Sequence, residues 1–149
     1  MVEPYYNKVM DFGMEFESDD EGHVSYLGLS LFHTVNGAYT GNIIAIEEEK
    51  ELELSRYVSG ELVNALKNKI CVCLGDTLCG KYQGPFGVDM MIVAKQDNDG
   101  FLLHPCVEIN LRRTMGHVAL AIPPYSDGCK HVMEITKRED DFNVILSQI

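Results

Sequence analysis

Hydrophobic and polar residues alternate in two segments near the start of the chain. Phe12, Met14 and Phe16 are separated by acidic residues and glycine, which is the period of a strand with one solvated face. After a polar turn, a second apolar segment covers Val24–Phe32 and changes phase near Gly28, as a β-bulge would cause. The pattern therefore predicts an antiparallel hairpin.

The middle of the chain changes from alternation to a helical period. A third strand is predicted at Asn42–Ile46, and the acidic run Glu47–Glu53 that follows is most simply a solvated connector or helix face. Between Ser59 and Tyr82, apolar residues recur every three or four positions, which predicts a long amphipathic helix with Ser59 as its N-cap. We expect this helix to cover one face of the sheet.

The remainder of the chain returns to strand patterns. Gly84-Pro85 ends the helix, and Asp97–Gly100 has the composition of a hairpin turn. The predicted elements are strands at Val88–Val93 and Phe101–Leu111, a short helix at Thr114–Ile122, and strands of unassigned pairing at Val132–Ile135 and Val144–Ile149. The predicted fold class is therefore α+β, a mainly antiparallel sheet with a long helix packed on one face.

Composition narrows the classes of function. The 149 residues are 46% hydrophobic and show no internal repeat, so we expect a single domain over residues 1–149. A net charge of −11 disfavours nucleic acid and anionic membranes as partners. Without a signal peptide or an apolar run of about 20 residues, the protein is expected to be cytoplasmic. The five cysteines form no CxxC pair, so we expect reduced thiols.

Polar side chains in the second predicted hairpin form a candidate metal site. Glu108 and Asn110 share one face of their strand, with apolar residues as a floor on the other face, and the turn brings Asp89 opposite them. Carboxylate and amide oxygens suit Mg²⁺. Arg112 and Arg113 follow directly and can bind phosphate or carboxylate. On spacing alone, polar residues on exposed sheet faces are the more ordinary interpretation of this set.

Three motifs follow one another in this hairpin and beyond it. They are Gly87-Val88-Asp89-Met90-Met91-Ile92, Glu108-Ile109-Asn110 and Thr114-Met115-Gly116-His117. This order resembles the C-terminal core of the ATP-grasp superfamily. The resemblance implies that Asp89, Glu108 and Asn110 hold the Mg²⁺ ions that bridge the ATP phosphates. It also implies that Arg112, or else Arg113, faces a developing acyl phosphate.

The first residues of the chain are similar to the same superfamily, with less specific motifs. Val2-Glu3-Pro4-Tyr5-Tyr6 resembles the hinge that contacts adenine, which implies Glu3 and Tyr6 as cofactor-binding residues. The resemblance implies that Asp11 holds the ribose. The alternative for Glu3 is a residue at a solvated strand start, and the alternative for Asp11 is a carboxylate at a strand edge. The similarity covers Val2–Leu120, which corresponds to about the C-terminal half of a complete ATP-grasp enzyme.

Departures from the superfamily pattern qualify this resemblance. Gly87 stands where related ligases often carry an arginine, so that phosphate contact is expected to be either absent or supplied by Lys81 or Arg112. His104 and His117 are each expected to have a surface or helix-capping role rather than to act as ligands. The subdomains that would close over ATP and bind the carboxylate substrate do not precede Val2. We therefore expect either a piece of a longer protein or a separately encoded half.

The resemblance leads to a specific functional expectation. The chain would be the ATP- and Mg²⁺-binding half of an ATP-dependent carboxylate–amine or carboxylate–thiol ligase that acts through an acyl phosphate, and it would be inactive alone. Its partners would be ATP and a small carboxylate, both through the missing subdomains. Surface left bare by those subdomains would favour a homo-oligomer. The alternative is a non-catalytic interaction or oligomerisation module derived from an ATP-grasp fold.

Overall fold

Seven strands and three helices form the part of the chain that the structure describes. The structure is a computed structural model, and it describes residues 6–35, 37–96, 99–125, 130–138 and 141–149. In chain order, the elements are β1 (Lys8–Ser18), β2 (Val24–Val35), β3 (Ala38–Ile44), α1 (Glu47–Ser55), α2 (Gly60–Leu78), β4 (Gly84–Ala94), β5 (Phe101–Asn110), α3 (Met115–Leu120), β6 (His131–Arg138) and β7 (Asp141–Gln148).

All seven strands belong to one sheet with the order β5-β4-β1-β2-β3-β6-β7. Every neighbouring pair is antiparallel, which confirms the predicted sheet type. The two tail strands, whose pairing the sequence did not assign, extend the sheet beyond β3. β5 and β7 are the edge strands, while β1 lies between β4 and β2 and carries part of the core.

The predicted β-bulge is present in β2. Glu15 pairs with Gly28 and Phe16 pairs with Tyr26, so Leu27 is the extra residue. Gly28 has a φ of +153°, a backbone conformation that residues with a side chain rarely adopt. The bulge changes which β2 residues face each side of the sheet, as the phase change in the sequence predicted.

The acidic run forms helix α1 and is only partly solvated. Glu47 accepts hydrogen bonds from the Leu29 amide at 2.9 Å and from the Tyr26 hydroxyl at 2.5 Å. Lys50 is buried, and its Nζ donates to the Leu29 carbonyl at 2.8 Å and lies 2.8 Å from Glu47 Oε2. These contacts satisfy the backbone amide and carbonyl groups of Leu29. The first turn of α1 is thus fixed to the sheet by polar contacts.

Helices lie on both faces of the sheet. Leu54 of α1 and the α2 residues Val63 and Ile70 share a core with Phe12 and Phe16 of β1. Helix α3 contacts the opposite face, because its residues lie beside Glu15 and Ser30 rather than beside the phenylalanines. The expectation of one long helix as the cover of the sheet was therefore wrong. Residue periodicity identifies an amphipathic helix but does not show which face a second, short helix will cover.

Within the described ranges, no helix combines the length and hydropathy that crossing a membrane requires. Four cysteines are free thiols, as expected, and Cys129 lies outside the described residues.

Replacing the N-cap of α2 should lower stability moderately. The Ser59 hydroxyl accepts a hydrogen bond from the Leu62 amide at 3.2 Å, as the sequence predicted for an N-cap. We expect Ser59→Ala to lower the free energy of unfolding by about 1 kcal/mol, measured by urea unfolding. Ser55→Ala is the control, because the Ser55 hydroxyl is exposed and satisfies no helix-start amide. Equal losses in both variants would contradict a capping role.

Candidate functional site

A cavity of about 280 Å³ opens on the face of the sheet that carries α3. Gly13 lies in the middle of this face, because it pairs with Asp89 of β4 on one side and with Ser30 of β2 on the other. The absence of a side chain at Gly13 leaves space between the two flanking strands. A Cβ at this position would lie 3.3 Å from Asp89 Oδ1.

One wall of the cavity is formed by charged and amide side chains. Asp89 of β4 lies opposite Glu108 of β5 in the strand register. Asn110 Nδ2 donates to Asp89 Oδ2 at 3.0 Å, and Arg112 Nη2 donates to Asn110 Oδ1 at 3.0 Å. All four side chains line the cavity. The structure thus brings together the three residues predicted as metal ligands and the first of the two predicted arginines.

The electrostatics of this wall are suited to a cation. Burial raises the pKa of Asp89, and the nearby Glu108 carboxylate raises it further, while Asn110 and Arg112 act in the opposite direction. A divalent ion between the two carboxylates would relieve their repulsion, and carboxylate oxygens are ligands that Mg²⁺ prefers. The donor set therefore fits Mg²⁺ in chemical type.

The same wall is an incomplete metal site. Asn110 presents its Nδ2 donor to Asp89, so the amide would have to turn for Oδ1 to act as a ligand. Among the described residues, no group of three or more His, Cys, Asp or Glu side chains is placed to hold a metal ion. An ion held here would take most of its ligands from water and from phosphate oxygens.

The apolar residues on the face opposite Glu108 and Asn110 are only partly covered. Val107, Ile109 and Leu111 alternate with them as predicted, but these apolar side chains are 48%, 42% and 46% exposed. β5 is an edge strand, and the helices on that face do not bury its apolar side chains. The alternation was predicted correctly, whereas the burial of the apolar positions depends on what lies against the edge.

The remaining predicted site residues lie at different distances from the cavity. Arg113 is exposed and is absent from the described residues that line it. Asp11 lines a neighbouring cavity of about 260 Å³, where its carboxylate binds Lys8 Nζ at 2.5 Å and accepts from Thr34 Oγ1 at 2.7 Å. Tyr6 packs edge-on against a histidine on β5 and does not line the first cavity. Glu3 lies outside the described residues.

The opposite wall of the cavity carries neutral polar groups that the sequence did not identify. Asn42 of β3 is fully buried, and its Oδ1 accepts from the Tyr39 hydroxyl at 2.5 Å. Asn42 Nδ2 donates to Ser30 Oγ at 2.7 Å. Because Ser30 accepts this bond, its own proton is available to donate to another group. The signal in the sequence was an asparagine at the start of the otherwise apolar predicted strand Asn42–Ile46.

One end of the cavity is formed by a buried carboxyl group that the sequence analysis assigned to a solvated face. Glu15 is 2% exposed, and its Oε2 accepts from Thr114 Oγ1 at 2.8 Å. The same Oε2 lies 2.9 Å from His117 Nδ1. Burial raises the pKa of Glu15 from its ordinary value of 4.5 to about 7, and the Thr114 hydrogen bond opposes this rise.

His117 has the helix-capping role that the sequence predicted, although the residue is buried rather than on the surface. Its Nδ1 accepts from the Thr114 amide at 3.2 Å, and Thr114 in turn caps α3. Its Nε2 donates to the Phe16 carbonyl at 3.2 Å. This arrangement requires neutral histidine, and burial lowers the His117 pKa in agreement with it. In this tautomer, His117 Nδ1 can accept a hydrogen bond from the Glu15 carboxyl group when that group is protonated.

Comparison with known proteins gives a relationship in structure alone. No protein-family model matches the chain, and no curated protein matches it in sequence. A proposed ATP-grasp superfamily protein from Archaeoglobus fulgidus matches 97% of this chain with a TM-score of 0.52 and 13% identity, over 47% of its own length. N5-carboxyaminoimidazole synthetase from Staphylococcus aureus, solved with ADP, matches 89% of the chain with a TM-score of 0.52 and 14% identity, over 36% of its own length.

These matches cover less than half of each solved chain, so they concern the fold of the shared part. They agree with the resemblance that the motifs of the second hairpin indicated. The chain spans about a third to a half of the length of these ATP-grasp structures and shares the fold of that part.

Proposed function

We propose that this chain is the nucleotide- and Mg²⁺-binding half of an ATP-dependent ligase that activates a carboxylate as an acyl phosphate. The observation that carries this proposal is the convergence of Asp89, Glu108, Asn110 and Arg112 on one wall of a cavity. The ATP-grasp fold and the ADP complex of one structural neighbour support it. The acceptor would be an amine or a thiol.

In this proposal, the acidic wall faces the phosphates of the nucleotide. Asp89, Glu108 and a turned Asn110 would hold Mg²⁺, which supplies positive charge to the phosphate oxygens when it is bound. Arg112 lies beside Asn110 and can donate two parallel hydrogen bonds to a phosphoryl or acyl phosphate oxygen. Arg113 is a weaker candidate for this role, because it does not line the cavity.

The proposed ribose contact, Asp11, lies beside the cavity. Asp11 is a residue of β1, and Thr34 lines both cavities. The Asp11 carboxylate already contacts Lys8 and Thr34, so ribose hydroxyls would share or replace these contacts. Glu3 and Tyr6 remain proposals for the adenine end of the site.

The isolated chain is proposed to lack turnover. Its cavity provides one side of a nucleotide site, and the solved structures that share its fold are more than twice as long. Positioning accounts for much of the acceleration in phosphoryl transfer, so an open half-site cannot supply it. The small carboxylate would also be bound by the part of the enzyme that lies outside this chain.

Titration with ATP should show Mg²⁺-dependent binding that requires Asp89. We expect weak binding by isothermal calorimetry in Mg²⁺, and about tenfold weaker binding for Asp89→Asn, because the variant loses the charge that faces the ion. Asp76→Asn is the control, since Asp76 is exposed on α2, outside the cavity. Equal affinities with Mg²⁺ and with a chelator would contradict the proposal, as would equal affinities of the two variants.

A second candidate function, an interaction or oligomerisation module, is favoured by the exposed apolar side chains of edge strand β5. Val107 and Ile109 of β5, with Leu111 directly after the strand, form an apolar row at this edge of the sheet. In that case, light scattering would show a mass that rises with concentration, and ATP would not bind. A strict monomer that binds ATP would exclude this alternative as the main function.

A further inference from the structure

Glu15 is the most deeply buried of the ionisable residues that line the cavity. The proposed nucleotide chemistry does not use it. We infer that Glu15 is a positioning residue, which holds the segment after β5 against the central strand and thereby places Arg112 beside Asn110. The role of Arg112 toward phosphate rests on the proposed function, whereas the positioning itself is a property of this chain alone.

The contacts of Glu15 join distant parts of the chain. Its Oε2 accepts a hydrogen bond from Thr114 Oγ1, and Thr114 lies 99 positions further along the chain. The next residue of β1, Phe16, accepts a hydrogen bond from His117 Nε2 through its carbonyl group. Two consecutive residues of the central strand therefore bind the beginning of α3 by side-chain and backbone groups.

Close packing fixes the Glu15 carboxyl group as well. A Cβ at Gly116 would lie 1.9 Å from Glu15 Oε1, and a Cβ at Gly87 would lie 2.6 Å from Oε2. Two glycines, one on β4 and one on α3, thus leave the space that the carboxyl group occupies. Any larger side chain at either position would have to displace it.

The anchored residue is close to Arg112 in the chain. Thr114 lies two positions after Arg112, and the segment between β5 and α3 is exposed from Leu111 to Arg113. On the β5 side, the segment is held by the Arg112 amide, which donates to the Asn110 carbonyl at 2.8 Å. Thr114 is the anchor on the other side, so loss of its contact with Glu15 would free the segment at one end.

A direct role of Glu15 toward a ligand is less consistent with its surroundings. The side chain is 2% exposed, Oε2 is occupied by Thr114 and His117, and Oε1 faces Gly116. A positioning role needs the hydrogen bonds and shape of the carboxyl group but not its negative charge. With its side-chain oxygen in place of Oε2, glutamine can still accept from Thr114 Oγ1 without carrying a charge, whereas alanine cannot.

The experiment measures amide hydrogen exchange in α3 and in the two residues that follow it, because the amides of Val118, Ala121 and Ile122 are hydrogen-bonded to residues of this segment. At about pH 5, where the folded protein keeps the Glu15 carboxyl group protonated, we expect Glu15→Ala to accelerate their exchange at least about tenfold and Glu15→Gln to leave it nearly unchanged. Glu48→Ala is the control, because Glu48 is an exposed residue of α1. Unchanged exchange in Glu15→Ala would overturn the inference, and so would equal acceleration in Glu15→Gln.

A second pair of variants keeps the test valid if Glu15→Ala does not fold. Thr114→Val removes the hydroxyl that binds Glu15 and also caps α3, with little change of shape, and Thr114→Ser retains both contacts. We expect faster exchange in the valine variant only, and equal behaviour of the two would count against the inference.

ATP titration of these variants in Mg²⁺ provides the second readout. Glu15→Ala and Thr114→Val should weaken binding severalfold, while Glu15→Gln and Thr114→Ser should bind as the original chain does. A Glu15→Gln variant with normal exchange but lost binding would overturn the positioning role in favour of a charge requirement. If the original chain binds no ATP, the proposed function fails, and the exchange result still decides the role of Glu15.

Discussion

Replacing Glu15 by glutamine is expected to stabilise the protein above pH 7 and to change its stability little near pH 4. The folded-state pKa of Glu15 is raised from 4.5 to about 7, so the folded protein favours the protonated carboxyl group. This stabilising contribution is complete below pH 4.5 and is lost as the pH rises to about 7. Ionisation above that pH costs about 3 kcal/mol, which neutral glutamine avoids.

The groups that face Glu15 determine this pH dependence together. Asp89 on β4 raises the Glu15 pKa, while Thr114 and the Arg112 guanidinium lower it, and burial exceeds them all. His117 on α3 is neutral in the folded state and can accept the Glu15 proton in a hydrogen bond. The folded protein therefore keeps most of the Glu15 carboxyl group neutral at pH values between 4.5 and about 7.

Urea unfolding between pH 4 and pH 8.5 measures the effect. The difference in free energy of unfolding between Glu15→Gln and the original chain should grow from near zero to about 3 kcal/mol. Glu48→Gln, at an exposed position, is the control and should show no such increase. A difference that stays constant with pH would mean that Glu15 has the same protonation in the folded and unfolded states.

Replacing Gly116 by alanine is expected to destabilise the protein by about 3 kcal/mol, even though alanine favours helices. The added Cβ would lie 1.9 Å from Glu15 Oε1 and 2.6 Å from Ser30 Oγ. Glu15 is enclosed and cannot move away without losing its contact with Thr114. The loss would therefore arise from a clash rather than from helix propensity.

A double-mutant cycle tests the origin of this loss. Glu15→Ala combined with Gly116→Ala should lose less stability than the sum of the two single variants, because the first removes the atoms that clash with the second. Gly60→Ala is the matched control, since a Cβ at this helix-start position meets no atom within 4 Å. Additive losses in urea unfolding would show that the clash with Glu15 does not limit stability.

Local patterns predicted most of the strands and the helix start at Ser59, because their signals lie within a few residues of one another. The facing of Asp89 and Glu108 was predictable for the same reason, as a single hairpin connects them. The expectation that Glu15 is solvated was wrong. Alternation along a strand shows on which face of the sheet a residue lies, but not which other element packs against that face. The cover comes from α3, and Thr114 lies 99 residues further along the chain.

The neutral wall of the cavity shows a similar limit. Ser30 lies opposite Gly13, and Asn42 opposite Phe32, only because of the register of three strands and a bulge between them. A single sequence places each of these residues on a strand but does not fix the register of one strand against another. Their hydrogen bond, 12 positions apart in sequence, followed from the sheet rather than from any motif.

Placement of two site carboxylates on neighbouring strands, one of them at the edge, has a consequence for protease sensitivity. β5 pairs only with β4 within the seven-stranded sheet, so it can separate from the sheet without disturbing the other strands. A ligand that bridges Asp89 and Glu108 must be released before that separation. At a concentration 100 times its Kd, such a ligand would add about 2.7 kcal/mol to the free energy of opening. Resistance of β5 to cleavage would then report occupancy of the cavity.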